Sequence, residues 1–276
     1  AVAAKKKDFQ VGAAPQYNDV FDKTRPEIQL NARQVDLVRG ELDKIRGPLD
    51  EARQLNEHLY GRMPIKIGAV FFATLLPDHM KAREVCDWLK HDAWLLAHEG
   101  RIDEAIDSCR ACLCVGRVMG DEPFVISHLI RIAIQTEAII ALERALAQGV
   151  ADEAALQKMQ VLLELEAQES TWIHSLRGER AGVHMFFEDL RTGKTPMKSL
   201  SSLEMTPPGK FTISGWIADR YPGMILNQYP EHLAHMTSLI ETAKLPLHEQ
   251  RPKIAEWEEK TTKDNGNRVI LMLAPA

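Results

Sequence analysis

The four cysteines are the residues of this sequence whose type and spacing most readily suggest metal binding or disulfide formation. Cys109, Cys112 and Cys114 lie within six residues of one another, and Cys86 precedes them. Thiolates hold zinc or iron best where two separated Cys-x-x-Cys pairs converge, and the second pair is missing. On one helix, Cys114 points about 200° away from Cys112, and disulfides among the clustered three are poorly placed. We therefore predict that Cys109 and Cys112 are free thiols buried in the core, with no metal and no cofactor.

Histidines and glutamates offer the second possible chemistry. Di-iron bundles need Glu-x-x-His pairs that share a helix face. Here His174 and His184 each follow a glutamate by five residues, which turns the paired side chains about 140° apart. Only His184 and Glu188 have the i,i+4 spacing of helix neighbours. Two alternatives stay open: an exposed salt bridge, or an enzyme of unknown reaction with a pocket near His174, His184 and Glu188.

Established catalytic motifs are missing from the sequence. We find no His-Glu-x-x-His, no Gly-x-Ser-x-Gly elbow and no dinucleotide-binding glycine pattern. Thr192–Thr195 resembles part of a phosphate-binding loop, but the first glycine and the preceding strand are absent. No catalytic residue is predicted.

The bulk composition excludes one class of partner. The 276 residues carry 34 basic and 39 acidic groups, a net charge of −5, and 6% aromatic residues. Nucleic-acid and anionic-membrane binders need a clustered positive excess, and single-strand binders need stacking aromatics. The apolar stretch 67–76 is too short to span a bilayer. We therefore predict no nucleic-acid partner and no transmembrane segment.

The elements that must position these side chains are helices. Apolar residues recur three or four positions apart through most of the chain, glycine and proline punctuate the pattern, and period-two alternation is lacking. This is the pattern of amphipathic helices. It predicts an all-α fold with helices at about 26–46, 48–60, 78–99, 102–119, 122–148, 152–190, 227–243 and 248–260. Gly178 and Gly182 are expected to mark a bend.

The domain organisation is predicted to be one helical array over residues 1–276, not two balanced domains. A stretch rich in Pro, Gly, Ser and Thr interrupts it, and long loops of this kind are either functional or mobile. The predicted parts are an N-terminal tail (1–25), a helical-repeat core (78–191), an irregular loop (192–223), and C-terminal helices with an apolar end (224–276).

The segment Trp94–Ile106 resembles the core of a tetratricopeptide repeat. Ala93, Gly100 and Ala105 occupy the small, turn and small positions of that motif. Leu89 and Leu96 stand at its large apolar positions. Two helices approach closely only where one side offers no bulk beyond Cβ. The resemblance implies helical hairpins in an α-solenoid or an irregular bundle.

The resemblance is incomplete. Cys109 stands where the motif has an aromatic residue, and Arg117 stands where it has proline. The motif covers about thirty residues, and the neighbouring helix pairs fit the architecture without the motif. The range 93–148 is also similar to uncharacterised bacterial proteins built from such hairpins, which implies a fold and no activity.

Tetratricopeptide arrays bind an extended peptide or a partner helix along the first helix of each pair. On the next, strongly apolar helix, three polar residues follow each other at i, i+3 and i+7, and buried polar groups must be paired or face a cavity. They either pair inside the protein or line the groove. The partner-binding residues predicted in this way are Asp87, Lys90, Trp94, His98, His128, Arg131 and Gln135.

These observations favour a non-catalytic interaction or assembly module with a protein partner. Lys90, Trp94 and Arg131 are expected to contact the partner, and alanine at Trp94 and Arg131 to weaken capture without unfolding. A structural subunit of a larger complex is a further alternative, because the sequence stops inside an apolar run at 268–276. A second polypeptide, a homo-oligomer or a hetero-oligomer would each cover that end. The start at Ala1 fits a trimmed exported protein or a fragment, so cytoplasmic and exported locations both stay open.

Overall fold

The fold is all-α, as predicted. The computed structural model describes residues 25–68, 70–169, 171–195, 227 and 229–263, and within these ranges the regular structure is helical, without strands. The α-helices are α1 (Ala32–Lys44), α2 (Arg46–Arg53), α3 (His79–His98), α4 (Ile102–Arg117), α5 (Val125–Gln148), α6 (Glu153–Gln168), α7 (Thr171–Arg191), α8 (Tyr229–Ala243) and α9 (Leu247–Lys263). Short 3-10 helices lie at Gln54–Glu57 and Phe71–Ala73.

The chain divides into two compact units that interleave in sequence. Unit one consists of Ala1–Met63, Pro77–Gly120 and Leu129–Glu169, and unit two of Pro64–Leu76, Asp121–His128 and Ser170–Ala276. Unit one therefore contains α1 to α4, most of α5, and α6. Residues 196–223 of the predicted loop, the tail 1–24 and the apolar end 264–276 lie outside the described residues.

Helix α1 starts later than its apolar pattern predicts. Asn31 accepts a hydrogen bond from the backbone N–H of Gln34 at 3.0 Å, and the Gln34 side chain accepts one from the Asn31 N–H at 2.9 Å. This reciprocal pair is a capping box, which satisfies two backbone donors at a helix start. Residues 25–30 are therefore left outside the helix, where their backbone groups need other partners.

Helices α3 and α4 pack against each other as a tight hairpin. Gly100 has a φ of +78°, a left-handed conformation that favours glycine, and it ends α3. The N–H of Arg101 then bonds back to the carbonyl of Leu96 at 2.9 Å. Ala93 and Ala105 are completely buried. Their small side chains let the two helices approach closely.

The cysteines form part of the core of this hairpin. Cys86, Cys109, Cys112 and Cys114 are all buried, so the predicted core location of Cys109 and Cys112 is confirmed. The prediction that Cys112 is a free thiol is wrong. Cys112 of α4 forms a disulfide with Cys86 of α3, with 4.8 Å between their Cα atoms, because the close approach of the two helices brings the residues together. Cys109 and Cys114 are free thiols, and burial raises the pKa of both.

The long predicted helix at 152–190 is broken, and its glycines are not the break. It divides at Glu169 into α6 and α7, and α7 runs through Gly178 and Gly182. In unit two, a Cβ at Gly178 would overlap Pro123, and one at Gly182 would overlap the ring of Phe71. The two glycines permit close packing on α7.

Helix α5 is the most apolar α-helix in the part of the chain that the structure describes. By length and composition it is the one helix there that could cross a membrane, with a mean hydropathy of 1.6 over its best window. Core helices of globular proteins meet the same criteria. Ile134, Ala138, Ala141 and Ala145 of α5 are buried in the core of unit one.

Candidate peptide-binding groove

Trp94 on α3 lies at the centre of a polar and cationic arrangement in unit one. Its side chain is 5% exposed. The guanidinium of Arg144, on α5, lies 4.8 Å from the centroid of the indole ring, and Nζ of Lys90 lies 5.8 Å from it. Cations over an indole face are attracted by its quadrupole, more strongly where water is excluded. The two helices α3 and α5 are therefore joined by a cation–aromatic contact.

Lys90 is fixed by acidic neighbours. Its Nζ lies 2.8 Å from Glu137 on α5 and 3.6 Å from Asp87 on α3. Burial raises the pKa of Asp87, and Lys90 opposes that rise. The adjacent His91 is buried, which lowers its pKa to about 3 and keeps the imidazole neutral near pH 7. Lys90 is thus a buried cation paired with partly buried carboxylates.

Residues 25–30 lie along α5 beside Trp94. Arg144 donates hydrogen bonds to the carbonyls of Ile28 at 2.9 Å and Arg25 at 3.2 Å. Gln148, one turn further along α5, donates to the carbonyl of Pro26 at 2.6 Å. Two side chains thereby bind three backbone carbonyls of one irregular segment. We call Lys90, Trp94, Arg144 and Gln148 the Trp94 groove.

The Trp94 groove holds residues 25–30 by main-chain contacts and one buried apolar side chain. Backbone carbonyls are present in every peptide, so Arg144 and Gln148 do not read sequence. Leu30 at the end of the segment is 5% exposed, whereas Ile28 is 45% exposed. Apolar burial at Leu30 contributes about 2 kcal/mol and selects an aliphatic residue at that position. The groove therefore holds an irregular segment that contains a turn, closed by the hydrogen bond from the Ile28 N–H to the Arg25 carbonyl at 3.0 Å, with a single large aliphatic anchor.

Two of the three residues of the predicted polar stripe on α5 belong to a separate cluster. Arg131 lies 2.8 Å from Glu166 and 2.6 Å from Glu169, and Gln135 hydrogen-bonds to Glu166. Arg117 of α4 pairs with both glutamates and donates to the carbonyl of Leu59. We call this the Glu166 cluster. Its charges satisfy one another, so the stripe pairs inside the protein there.

The seven predicted partner-binding residues thus lie at different places. Lys90 and Trp94 lie in the Trp94 groove, Asp87 is at its edge, and His98 is half-buried at the end of α3. The remaining three are Arg131 and Gln135 of the Glu166 cluster, and His128, whose Nδ1 lies 3.0 Å from the Thr171 hydroxyl in unit two.

Burial also changes the expected effect of substitutions. Trp94 and Arg131 are both buried and held by intramolecular contacts. Alanine at either position removes core contacts, so we expect both substitutions to lower the free energy of unfolding as well as any partner binding.

Sequence reasoning missed Arg144, Gln148 and the segment 25–30. The signal was present, since Arg144 and Gln148 are polar residues at i and i+4 at the end of an apolar helix. Their partners are main-chain atoms more than a hundred residues away, and carbonyls leave no sequence pattern.

The histidines of the enzyme alternative lie on exposed helix surface. His174 and His184 are exposed, and His184 Nδ1 hydrogen-bonds to the hydroxyl of Tyr229. Glu188 pairs with Arg191 at 2.6 Å, and this hydrogen bond lowers the pKa of Glu188. Within the described ranges, no three His, Cys, Asp or Glu side chains form a group that could hold a metal ion.

No family model, no curated protein and no solved structure matches this chain.

Proposed function

We propose that this protein is a non-catalytic interaction module, built from tetratricopeptide-like helical hairpins, whose Trp94 groove binds a short irregular segment of a protein partner. One observation carries the proposal: Arg144 and Gln148 bind the carbonyls of Arg25, Pro26 and Ile28. A surface that already holds an irregular segment by its main chain has the chemistry to hold another.

The chain's own segment competes with any partner. A tethered ligand acts at an effective concentration in the millimolar range for a short linker. A partner segment must therefore bind the Trp94 groove better than residues 25–30, or bind where those residues are displaced. A substitution at Leu30 should release residues 25–30 from the groove, because the buried Leu30 side chain anchors this segment.

The test uses a labelled peptide with the sequence of residues 25–31 and the full-length chain. Leu30→Asp places a carboxylate in an apolar site, so the chain's own segment is weakened and the groove becomes available. We expect the variant chain to bind the labelled peptide about tenfold more tightly than the unchanged chain does, by fluorescence anisotropy. Adding Gln148→Met should reverse the gain, because one carbonyl then loses its donor.

Ile28→Asp is the matched control, since the same change is made at an exposed side chain of the same segment. It should leave peptide binding unchanged. Circular dichroism checks that each variant stays helical, and Leu30→Ser replaces Leu30→Asp if the latter unfolds. The proposal fails if a folded Leu30 variant binds the peptide no better than the unchanged chain.

A further inference from the structure

The outward face of α5 in unit one is apolar, unlike that of an ordinary surface helix. Leu129, Ile132, Ile140 and Leu146 are each between 39% and 45% exposed. Thr136, Glu143 and Ala147 are also exposed on this face. All seven fall within about 120° of the helix circumference, and they span about 27 Å along the axis. We call this set the α5 stripe.

The α5 stripe is distinct from the Trp94 groove. Arg144 and Gln148 lie about 120° round the helix from the centre of the stripe. An inference about the stripe therefore does not depend on peptide binding in the groove. Contiguous exposed apolar surface on a folded protein marks a site of interaction. Its dimensions fit about five turns of a second helix packed along α5.

Glu143 decides what kind of helix fits. It is the charged residue of the α5 stripe, and among the described residues it has no ion-pair or hydrogen-bond partner. In a symmetric antiparallel pair of α5 helices, the two-fold axis would pass near the middle of the stripe. Residues whose numbers sum to about 275 would then face each other, so Glu143 would face Ile132 of the second copy. The stripe contains no Lys or Arg. Self-association would thus bury two carboxylates without a partner, which is costly.

We propose that the α5 stripe binds an amphipathic helix of a different polypeptide, whose apolar face carries one Lys or Arg opposite Glu143. Leu129, Ile132, Ile140 and Leu146 pack against the apolar residues of that helix, and Glu143 pairs with its cation. A single helix on a single helix makes a small interface, so the complex is transient and its Kd is micromolar.

The probes are two synthetic helical peptides of about 18 residues with a leucine and alanine face. One carries a central lysine on that face, and the other carries glutamate at the same place. Full-length protein should bind the lysine peptide about fivefold to twentyfold more tightly than the glutamate peptide. Glu143→Lys should invert this preference. Glu51→Lys, a charge reversal at an exposed residue of α2, should leave the preference unchanged.

Ile140→Ser tests the apolar contact. The side chain is exposed, so the variant should keep its fold, verified by circular dichroism, and lose binding of both peptides. Three results would overturn the inference: equal affinity for the two peptides, a dimer in sedimentation that Ile140→Ser dissociates, or association with phosphatidylcholine vesicles that Ile140→Ser abolishes. The second would assign the stripe to a second copy of this chain, and the third to a lipid surface.

Discussion

At the scale of single residues, buried polar groups decide the behaviour of both units. In unit two, His232 of α8 is 2% exposed and packs 6.5 Å from the ring of Phe187 on α7. Neither ring nitrogen has a hydrogen-bond partner among the described residues. Burial lowers the pKa of His232 to about 4, and nearby His235 lowers it further. The imidazole is therefore held neutral inside an apolar contact.

This placement predicts a pH-dependent stability. In the unfolded chain the pKa of His232 is about 6.5. Between about pH 6.5 and 4, His232 is therefore protonated in the unfolded state but neutral in the folded state. The contribution of His232 to stability should fall by about 3 kcal/mol through that window and stay level below it, where both states are protonated. Buried His91 adds a fall of its own, so His232→Leu should reduce the total fall without abolishing it, as followed by urea unfolding at several pH values.

His248→Gln is the comparison for that measurement, because the His248 side chain is 81% exposed. Its curve should parallel that of the unchanged protein. An undiminished fall in the His232→Leu variant would show that other groups cause it.

At the scale of elements, the Glu166 cluster ties α4, α5 and α6 together. Arg131 is buried and bonds both Glu166 and Glu169. Breaking a buried pair by removing one partner leaves a charge uncompensated, at about 3–5 kcal/mol. Arg131→Met keeps the aliphatic stem, so a loss of that size in the free energy of unfolding would report the charge. Arg46→Met, at an exposed pair, should cost less than about 1 kcal/mol.

A second substitution separates the ion pair from the packing. Adding Glu166→Gln to Arg131→Met removes the carboxylate left behind, so the double variant should be more stable than the sum of the two single losses predicts. Strict additivity would mean that Arg131 and Glu166 do not stabilise each other.

The elements also show where sequence reasoning succeeds and where it stops. Local signals placed the α3–α4 hairpin, because Gly100 and the buried Ala93 and Ala105 act within the hairpin itself. The start of α1 was placed too early, because periodicity continues through residues that Asn31 excludes by capping. The close packing at Gly178 and Gly182 could not be predicted from the sequence, because it depends on Pro123 and Phe71, which are distant in sequence.

At the scale of the whole molecule, the same limit applies to the candidate site. Lys90 and Trp94 were predicted from the hairpin motif, but the residues that complete the groove come from α5 and from a segment before α1. Such pairings depend on how distant parts of the chain pack, and composition does not encode them. The Cys86–Cys112 disulfide is another case, since clustered spacing favoured free thiols and helix packing brought the two together.

That disulfide acts on the entire chain through the unfolded state. It closes a loop with a sequence separation of 26 residues, and restricting the unfolded chain over such a loop contributes about 3 kcal/mol to stability in the chain-entropy account. Because Cys86 and Cys112 are bonded to each other, protein denatured without reductant should expose two thiols to alkylation, Cys109 and Cys114. After reduction it should expose four, and intact mass spectrometry counts the alkylated thiols.

The energetic part of the prediction compares two variants. Cys86→Ala with Cys112→Ala should lower the free energy of unfolding by about 3 kcal/mol or more, because the loop constraint and buried sulfur contacts are both lost. Cys109→Ala removes one buried sulfur and no cross-link, so it isolates the packing contribution. The prediction fails if the double variant loses no more free energy of unfolding per sulfur than Cys109→Ala does, and if four thiols react without reductant. In that case Cys86 and Cys112 act as core thiols.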